Sequence, residues 1–309
     1  MQIGYDQLLY ILPFDHRSSF SKGLFGWSGP LQPQQVERIA DTKQVIYEAF
    51  KQAVQKEGGD RRSAILVDEQ FGAAILRGAR SSGIATCMPV EKSGQEEFEF
   101  EYGTDFAAHI EAFKPDFVKV LVRYNPDGEA ALNRRQAERL KRLSDYVHAH
   151  DHRLLFELLV PMTHEQSDRL EGEQRLYDKD LRPSLMLGAI EELQEAGVEP
   201  DVWKLEGLDR REDCQRMVEA ARSGGRDKVS CIILGRGSDA EQVVAWLRTA
   251  APVPGFIGFA VGRTTFWGPL VALKEGKTTR DQAASAIAER YLEWARVFDT
   301  AREKVAAGS

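Results

Sequence analysis

The feature that most constrains how this 309-residue chain can fold is a rhythm. Eight short apolar, β-rich runs are each followed by a longer stretch with helical periodicity. The runs are "LLYILP" (8–13), "AILVDE" (64–69), "IATCMP" (84–89), "DFVKVLV" (116–122), "LLFELLV" (154–160), "DVWKLE" (201–206), "VSCIIL" (229–234) and "GFIGFAV" (255–261). Parallel strands need crossover connections, and helices supply them. Eight repeats of strand then helix therefore predict an α/β chain folded as a single (β/α)8 TIM barrel over residues 1–309. A doubly wound open sheet is the alternative; it fits less well because the count closes at eight and no linker divides the chain. One intervening helix carries Leu132, Leu140, Leu143 and Val147 on one stripe. The last carries Ile287, Tyr291, Trp294 and Phe298, a stripe expected to lie in the core or in a homo-oligomer contact.

Charge narrows the functional classes. A net charge of −7 argues against nucleic-acid or anionic-membrane attraction, and no apolar run approaches the ~18 residues of a spanning helix. The opening "MQIGYDQLLYILPFDH" lacks a basic leader, and three scattered cysteines, Cys87, Cys214 and Cys231, suit a reduced cytoplasm. Cys87 and Cys231 sit inside strand-like runs and read as small core hydrophobes.

Ionisable residues inside or just after the apolar runs are more informative, since burying an unpaired charge costs several kcal/mol. Asp15 follows the first run, and Asp68 and Glu69 end the second. Lys119 lies in the fourth, Glu157 in the fifth and Lys204 in the sixth. In a barrel, inward residues near the C-terminal ends of strands carry the chemistry. One reading joins these side chains. A lysine must lose its proton to attack a carbonyl, and a second ammonium about 6 Å away disfavours the charged form by roughly two pKa units at an effective dielectric near 20. Lys204 would be the nucleophile, Lys119 the neighbouring cation and Glu157 the proton shuttle. Asp15 would orient a substrate hydroxyl. The alternative is a buried ion-pair cluster, Lys119–Glu157–Lys204–Glu206, that only holds the barrel in register.

Two glycine-and-arginine elements follow the last two runs, "LGRGSDAEQ" (234–242) and "VGRTTFW" (261–267). Ser238 and Glu241 form a capping-box pattern, so a helix is expected to open beside Gly235, Arg236 and Gly237. Backbone donors, a helix N-terminus and an arginine suit a phosphate, and barrels of this kind often hold one after strands seven and eight. Gly262 and Arg263 supply the second half. Two long connections, 90–103 and 161–180, leave the same end of the barrel and could act as lids; the acidic run Glu96–Glu101 reads as a solvated loop.

These residues carry a resemblance. "DVWKLEG" is similar to the Schiff-base strand of class I aldolases of the tagatose-bisphosphate and sulfofructosephosphate aldolase type. "LPFDHR" (12–17), "LVDEQFG" (66–72), "EKSGQ" (91–95), "VKVLVRY" (118–124), "FELLVP" (156–161) and "GRTTFW" (262–267) resemble further motifs of that family in order. Closer still is the resemblance to the aldolase-like domain fused to bacterial 5-dehydro-2-deoxygluconokinases. It implies an imine on Lys204 with Glu157 and Lys119 beside it, and Asp15 in the hydroxyl network. Arg263 and the 235–237 turn would hold phosphate, with no metal or organic cofactor. The sequence departs from the bisphosphate enzymes at Arg236, where they have a small residue. The implied reaction is C3–C4 cleavage of 2-deoxy-5-keto-gluconate 6-phosphate, with Arg17, Lys92 or Arg123 facing the distal carboxylate. A ketose bisphosphate or sulfo-sugar phosphate is the alternative substrate, and a non-catalytic sugar-phosphate-binding barrel partnering a kinase the alternative role.

Three other patterns are set aside. "HAHDH" (148–152) falls between a helix and the start of a strand, on the face opposite the chemistry. A metal-dependent aldolase would want several histidines at strand ends, where only His16 stands. "GRGSD" lacks the third glycine of a dinucleotide fingerprint.

Overall fold

The computed structural model describes residues 2–57 and 62–306. Its strands are β1 (Leu9–Pro13), β2 (Ser63–Leu66), β3 (Ala85–Pro89), β4 (Phe117–Arg123), β5 (Arg153–Leu159), β6 (Val202–Glu206), β7 (Ser230–Leu234) and β8 (Phe256–Ala260). All pair in parallel, and β1 bonds to both β2 and β8, so the sheet closes in sequence order. The helices are α1 (Pro33–Lys56), α2 (Glu69–Ser81), α3 (Phe106–Phe113), α4 (Ala130–Ala149), α5 (His164–Arg169), α6 (Gln174–Leu176), α7 (Arg182–Glu195), α8 (Arg211–Arg222), α9 (Ala240–Ala250), α10 (Arg263–Lys274) and α11 (Arg280–Ala306). The protein is a (β/α)8 TIM barrel, as its alternation predicts. No helix among the described residues is long and apolar enough to cross a membrane.

Period-two alternation divides each strand between two cores. Leu9, Ile11, Leu66, Cys87, Phe117, Leu155, Val202 and Ile232 pack with one another inside the barrel. Their neighbours Tyr10, Leu12, Val118, Phe156 and Trp203 face the helical layer. The inward apolar layer ends one step short of the mouth. Two residues beyond Phe117, Leu155 and Val202, on the same faces, stand Lys119, Glu157 and Lys204. Register places Glu157 directly beside Lys204.

The α11 stripe is core: Ile287, Tyr291, Trp294 and Phe298 are buried. Tyr291 donates to the Tyr10 carbonyl at 2.9 Å, and Trp294 Nε1 to Thr265 Oγ1 at 2.9 Å. In α4 Leu140, Leu143 and Val147 are buried, whereas Leu132 is only half-buried. Polar Asn133 and Gln136 replace it underneath, because they hold loops. Asn133 donates to the Asn125 carbonyl, while Gln136 accepts from Phe98 N and donates to the Arg123 carbonyl. The 90–103 connection is correspondingly tied down. Glu97 pairs with Arg135 and Arg139, Phe98 is buried, and only part of the acidic run is solvated. The 161–180 connection is largely helical, with α5 capped by Thr163.

Candidate active site

The mouth of the barrel holds a cavity of about 450 Å³ whose floor is charged. Lys204 Nζ lies 2.8 Å from Glu157 Oε1, and the other oxygen of Glu157 lies 3.1 Å from Lys119 Nζ. Lys119 also donates to Asp15 Oδ2 at 2.8 Å and to Glu91 Oε1 at 2.7 Å. The fourth- to sixth-strand residues come together as the sequence suggests, but their electrostatics differ from two bare amines side by side. Glu157 stands between the lysines, and three carboxylates surround Lys119. Burial opposes the Lys119 charge, yet Asp15, Glu91 and Glu157 outweigh it and hold its pKa above the ordinary lysine value. Burial alone would raise Asp15 and Glu157. The lysines, with His16 helping at Asp15, instead hold both below the usual carboxylate range.

Glu206 does not join this cluster. Its carboxylate accepts from Val160 N at 3.0 Å and pairs with Arg236 Nε at 3.1 Å and Arg182 Nη1 at 3.8 Å. A four-member register clamp of the kind considered above is therefore not what forms. Asp68 and Glu69 also lie off the cavity: Asp68 caps α2 and pairs with Lys43, and Glu69 pairs with His109.

The opposite wall is built by the turns after β7 and β8. Arg236 and Gly237 adopt positive φ of 50° and 74°. A Cβ on Gly237 would fall 2.3 Å from Arg263 Nη2, so glycine is what lets that guanidinium approach the turn. Arg263 donates to the Arg236 carbonyl at 3.2 Å, and Thr264 to the Ser238 carbonyl at 2.7 Å, stitching the turns together. α10 begins at Arg263, its first backbone N–H groups beyond any intrahelical partner. The capping box is displaced: Asp239, not Ser238, caps α9, accepting from Gln242 N at 2.8 Å. Asp239 is one residue nearer the helix, and its shorter reach to the third N–H wins. The Arg236 side chain is not free either, since Asp178 lies 2.8 Å away and Glu206 3.1 Å away.

Arg17, Lys92 and Arg123 all line the cavity, each with a partner. Arg17 is buried and donates to Glu101 at 2.8 Å and to the Glu91 carbonyl at 2.6 Å. Arg123 donates to the Gln95 carbonyl at 2.7 Å, and exposed Lys92 lies 3.8 Å from Glu99. The residue that sequence reasoning passed over is Glu91. Its signal was present, an acid two positions past the proline that ends an apolar run. His16 lines the cavity too, edge-on to Phe266, and burial presses its pKa down to about 4 against the pull of Asp15.

The "HAHDH" histidines lie at the other end of the barrel. His148 sits 3.0 Å from Asp201, the residue just before β6, and His152 3.1 Å from Glu111. Among the described residues, no three His, Cys, Asp or Glu side chains are grouped to hold a metal ion.

Fold and site together define a closed eight-stranded barrel with a lysine–carboxylate cluster at its mouth. The chain belongs to the family described as "Uncharacterized protein conserved in bacteria (DUF2090)", whose model matches residues 3–302. It is similar to the tagatose 1,6-diphosphate aldolases of Listeria monocytogenes serotype 4b and Listeria innocua serovar 6a. Each is 29% identical over 200 residues, 63% of this chain and 54% of the relative, so the match spans about half the length of these curated proteins. Among solved structures it resembles a fructose-bisphosphate aldolase of Plasmodium falciparum at TM-score 0.61 and 12% identity, over 96% of this chain and 91% of that one. An archaeal fructose 1,6-bisphosphate aldolase aligns at TM-score 0.53 and 14% identity, over 93% and 94%. These last two likenesses concern the fold.

Proposed function

We propose that this protein is a class I aldolase that cleaves a phosphorylated keto sugar or keto sugar acid through an imine on Lys204. The observation that carries the reading is Glu157 within 2.8 Å of Lys204 on the floor of a cavity whose far wall presents Arg263 and two glycine turns. The curated relatives named as tagatose 1,6-diphosphate aldolases support the same class.

In the proposed cycle Lys204 gives a proton to Glu157, attacks the substrate ketone and loses water, leaving a protonated imine. Glu157 spends its proton on the departing hydroxyl, and as a carboxylate it then takes the β-hydroxyl proton while the imine accepts the electron pair of the breaking C–C bond. Glu157 then returns a proton to the enamine carbon, and water hydrolyses the imine to release the ketone product. Asp15, fixed by Lys119, would orient the hydroxyl. The phosphate would sit between the 235–237 turn and Arg263, with Arg236 shared between it and its two acidic partners.

For the substrate we propose 2-deoxy-5-keto-gluconate 6-phosphate. Its C5 ketone is β to the C3 hydroxyl, so C3–C4 cleavage yields dihydroxyacetone phosphate and malonate semialdehyde. Lys92 and Arg123 would face the carboxylate from the rim, the Arg17 charge being spent on Glu101. Tagatose bisphosphate is the second reading, favoured by the curated relatives. Turnover assays with both compounds, read as release of dihydroxyacetone phosphate, separate them. Cleavage of the keto acid phosphate alone is expected, cleavage of the bisphosphate alone would transfer the assignment to a ketose bisphosphate, and cleavage of neither would leave the enzyme reading without support.

A further inference from the structure

The charges around Lys119 do not balance if every group takes its ordinary form. Asp15, Glu91 and Glu157 bring three negative charges to two positive ones, on Lys119 and Lys204. Arg17 lies 3.9 Å from Glu91 Oε1 and 2.8 Å from Glu101, so adding that cation and its second acid leaves the sum at one negative charge. A net negative charge buried on the floor of the mouth cavity is expensive, and the ordinary relief is for one carboxylate to keep a proton. Geometry distinguishes the three. Both oxygens of Glu157 are engaged by ammonium groups. Asp15 accepts from Lys119, and its surroundings hold it ionised. Glu91 has only 5% of its surface exposed, and only its Oε1 is engaged, by Lys119 at 2.7 Å and more loosely by Arg17 at 3.9 Å. Its Oε2 is buried and has no hydrogen-bond partner. An unpartnered buried oxygen costs more on a charged carboxylate than on a neutral carboxyl. Burial also raises the Glu91 pKa, outweighing Lys119 and Arg17.

We propose that Glu91 is the neutral carboxyl of the site: at rest it holds a proton on Oε2 and acts as a positioning residue through Lys119, leaving that ammonium to Asp15 and Glu157. The groups facing it are Arg17 and Asp15 from the end of β1, Lys119 from β4, and Glu157 and Lys204 beyond. One consequence rests on the imine reading. When alkaline pH strips the Glu91 proton, the cluster gains a negative charge that holds the Lys204 proton more tightly and slows attack on a carbonyl.

The test has two parts, of which the first does not depend on catalysis. Infrared or carbon-13 spectra of protein labelled at glutamate carboxyls are expected to show a buried carboxylic acid at neutral pH in the wild type and in Lys204→Met. The signal should be absent from Glu91→Gln. Asp15→Asn should lower the pH at which it disappears, since one negative charge fewer faces it, and this holds even if Glu91→Gln fails to fold. A wild type without the signal, or a signal that survives Glu91→Gln, overturns the proposal. In the second part, borohydride trapping with dihydroxyacetone phosphate should run about threefold or more faster in Glu91→Gln than in wild type at pH above the signal's loss. Equal rates throughout would overturn the coupling through Lys119. A wild type that traps nothing would refute the imine and leave the first result standing on its own.

Discussion

Two buried lysine–carboxylate pairs lie near the C-terminal ends of strands, and their surroundings could hardly differ more. Lys43 and Asp68 meet outside the barrel, with the ammonium 5.2 Å above the Phe20 ring and 5.4 Å from that of Phe71. Asp68 also caps α2 through Phe71 N. Burial presses the Lys43 pKa down, with Asp68 resisting, and neither residue lines the cavity at the barrel mouth. Lys204 and Glu157 meet inside the barrel at a cavity wall, and Glu157 is shared with a second ammonium. A buried ion pair is thus not a functional signal in itself. Access to a cavity, and a carboxylate shared between two amines, are what set the second pair apart.

Substitutions can break that contrast. The largest effect is expected from Lys204→Met, which should reduce release of dihydroxyacetone phosphate to background while shifting Tm by no more than about 5 °C, since Lys119 still neutralises Glu157. Asp68→Asn should do the reverse. Leaving Lys43 buried without its partner is expected to cost about 3–5 kcal/mol in chemical denaturation, with borohydride trapping retained by the folded fraction. Arg263→Ala should raise KM for a phosphorylated substrate by about 10- to 100-fold, the range of one charge-assisted hydrogen bond, with kcat changed less.

Smaller effects sharpen the electrostatics. Lys119→Met leaves Asp15, Glu91 and Glu157 facing Lys204 without their shared cation, so the pH–rate profile should move upward by about one unit. An unmoved profile would show that the Lys119 charge does not reach Lys204. The smallest effect concerns His16. Its folded pKa, about 4, lies below the ordinary histidine value, so the unfolded chain takes up the proton first as pH falls. The stability His16 contributes is therefore complete above the ordinary value of about 6.5 and is lost as pH falls toward 4. His16→Gln should flatten the decline of Tm with pH over that window.

The barrel was legible because its signal is repeated. Eight apolar runs each carry the alternation that sends Phe117 and Lys119 inward and Val118 outward, and one ambiguous boundary cannot disturb a count of eight. Lys119, Glu157 and Lys204 could be read for the same reason: a charge inside an apolar run must have a partner or a purpose. What the sequence hid lies in loops. Nothing in the spacing shows that Glu91 reaches Lys119, that Asp178 arrives from a distant segment to pair with Arg236, or that Asp239 takes the cap from Ser238. Those contacts depend on where chain segments return, which no periodicity records. Nor does spacing show that Glu157, from the strand between them, stands between the ammonium groups of Lys119 and Lys204.

The central claim is the covalent role of one amine, and trapping tests it most directly. Protein incubated with dihydroxyacetone phosphate and borohydride, then measured intact and as peptides, should gain one reduced triose phosphate per chain, located on Lys204. An adduct on a different lysine, or an unmodified chain that still binds the phosphate, would contradict it.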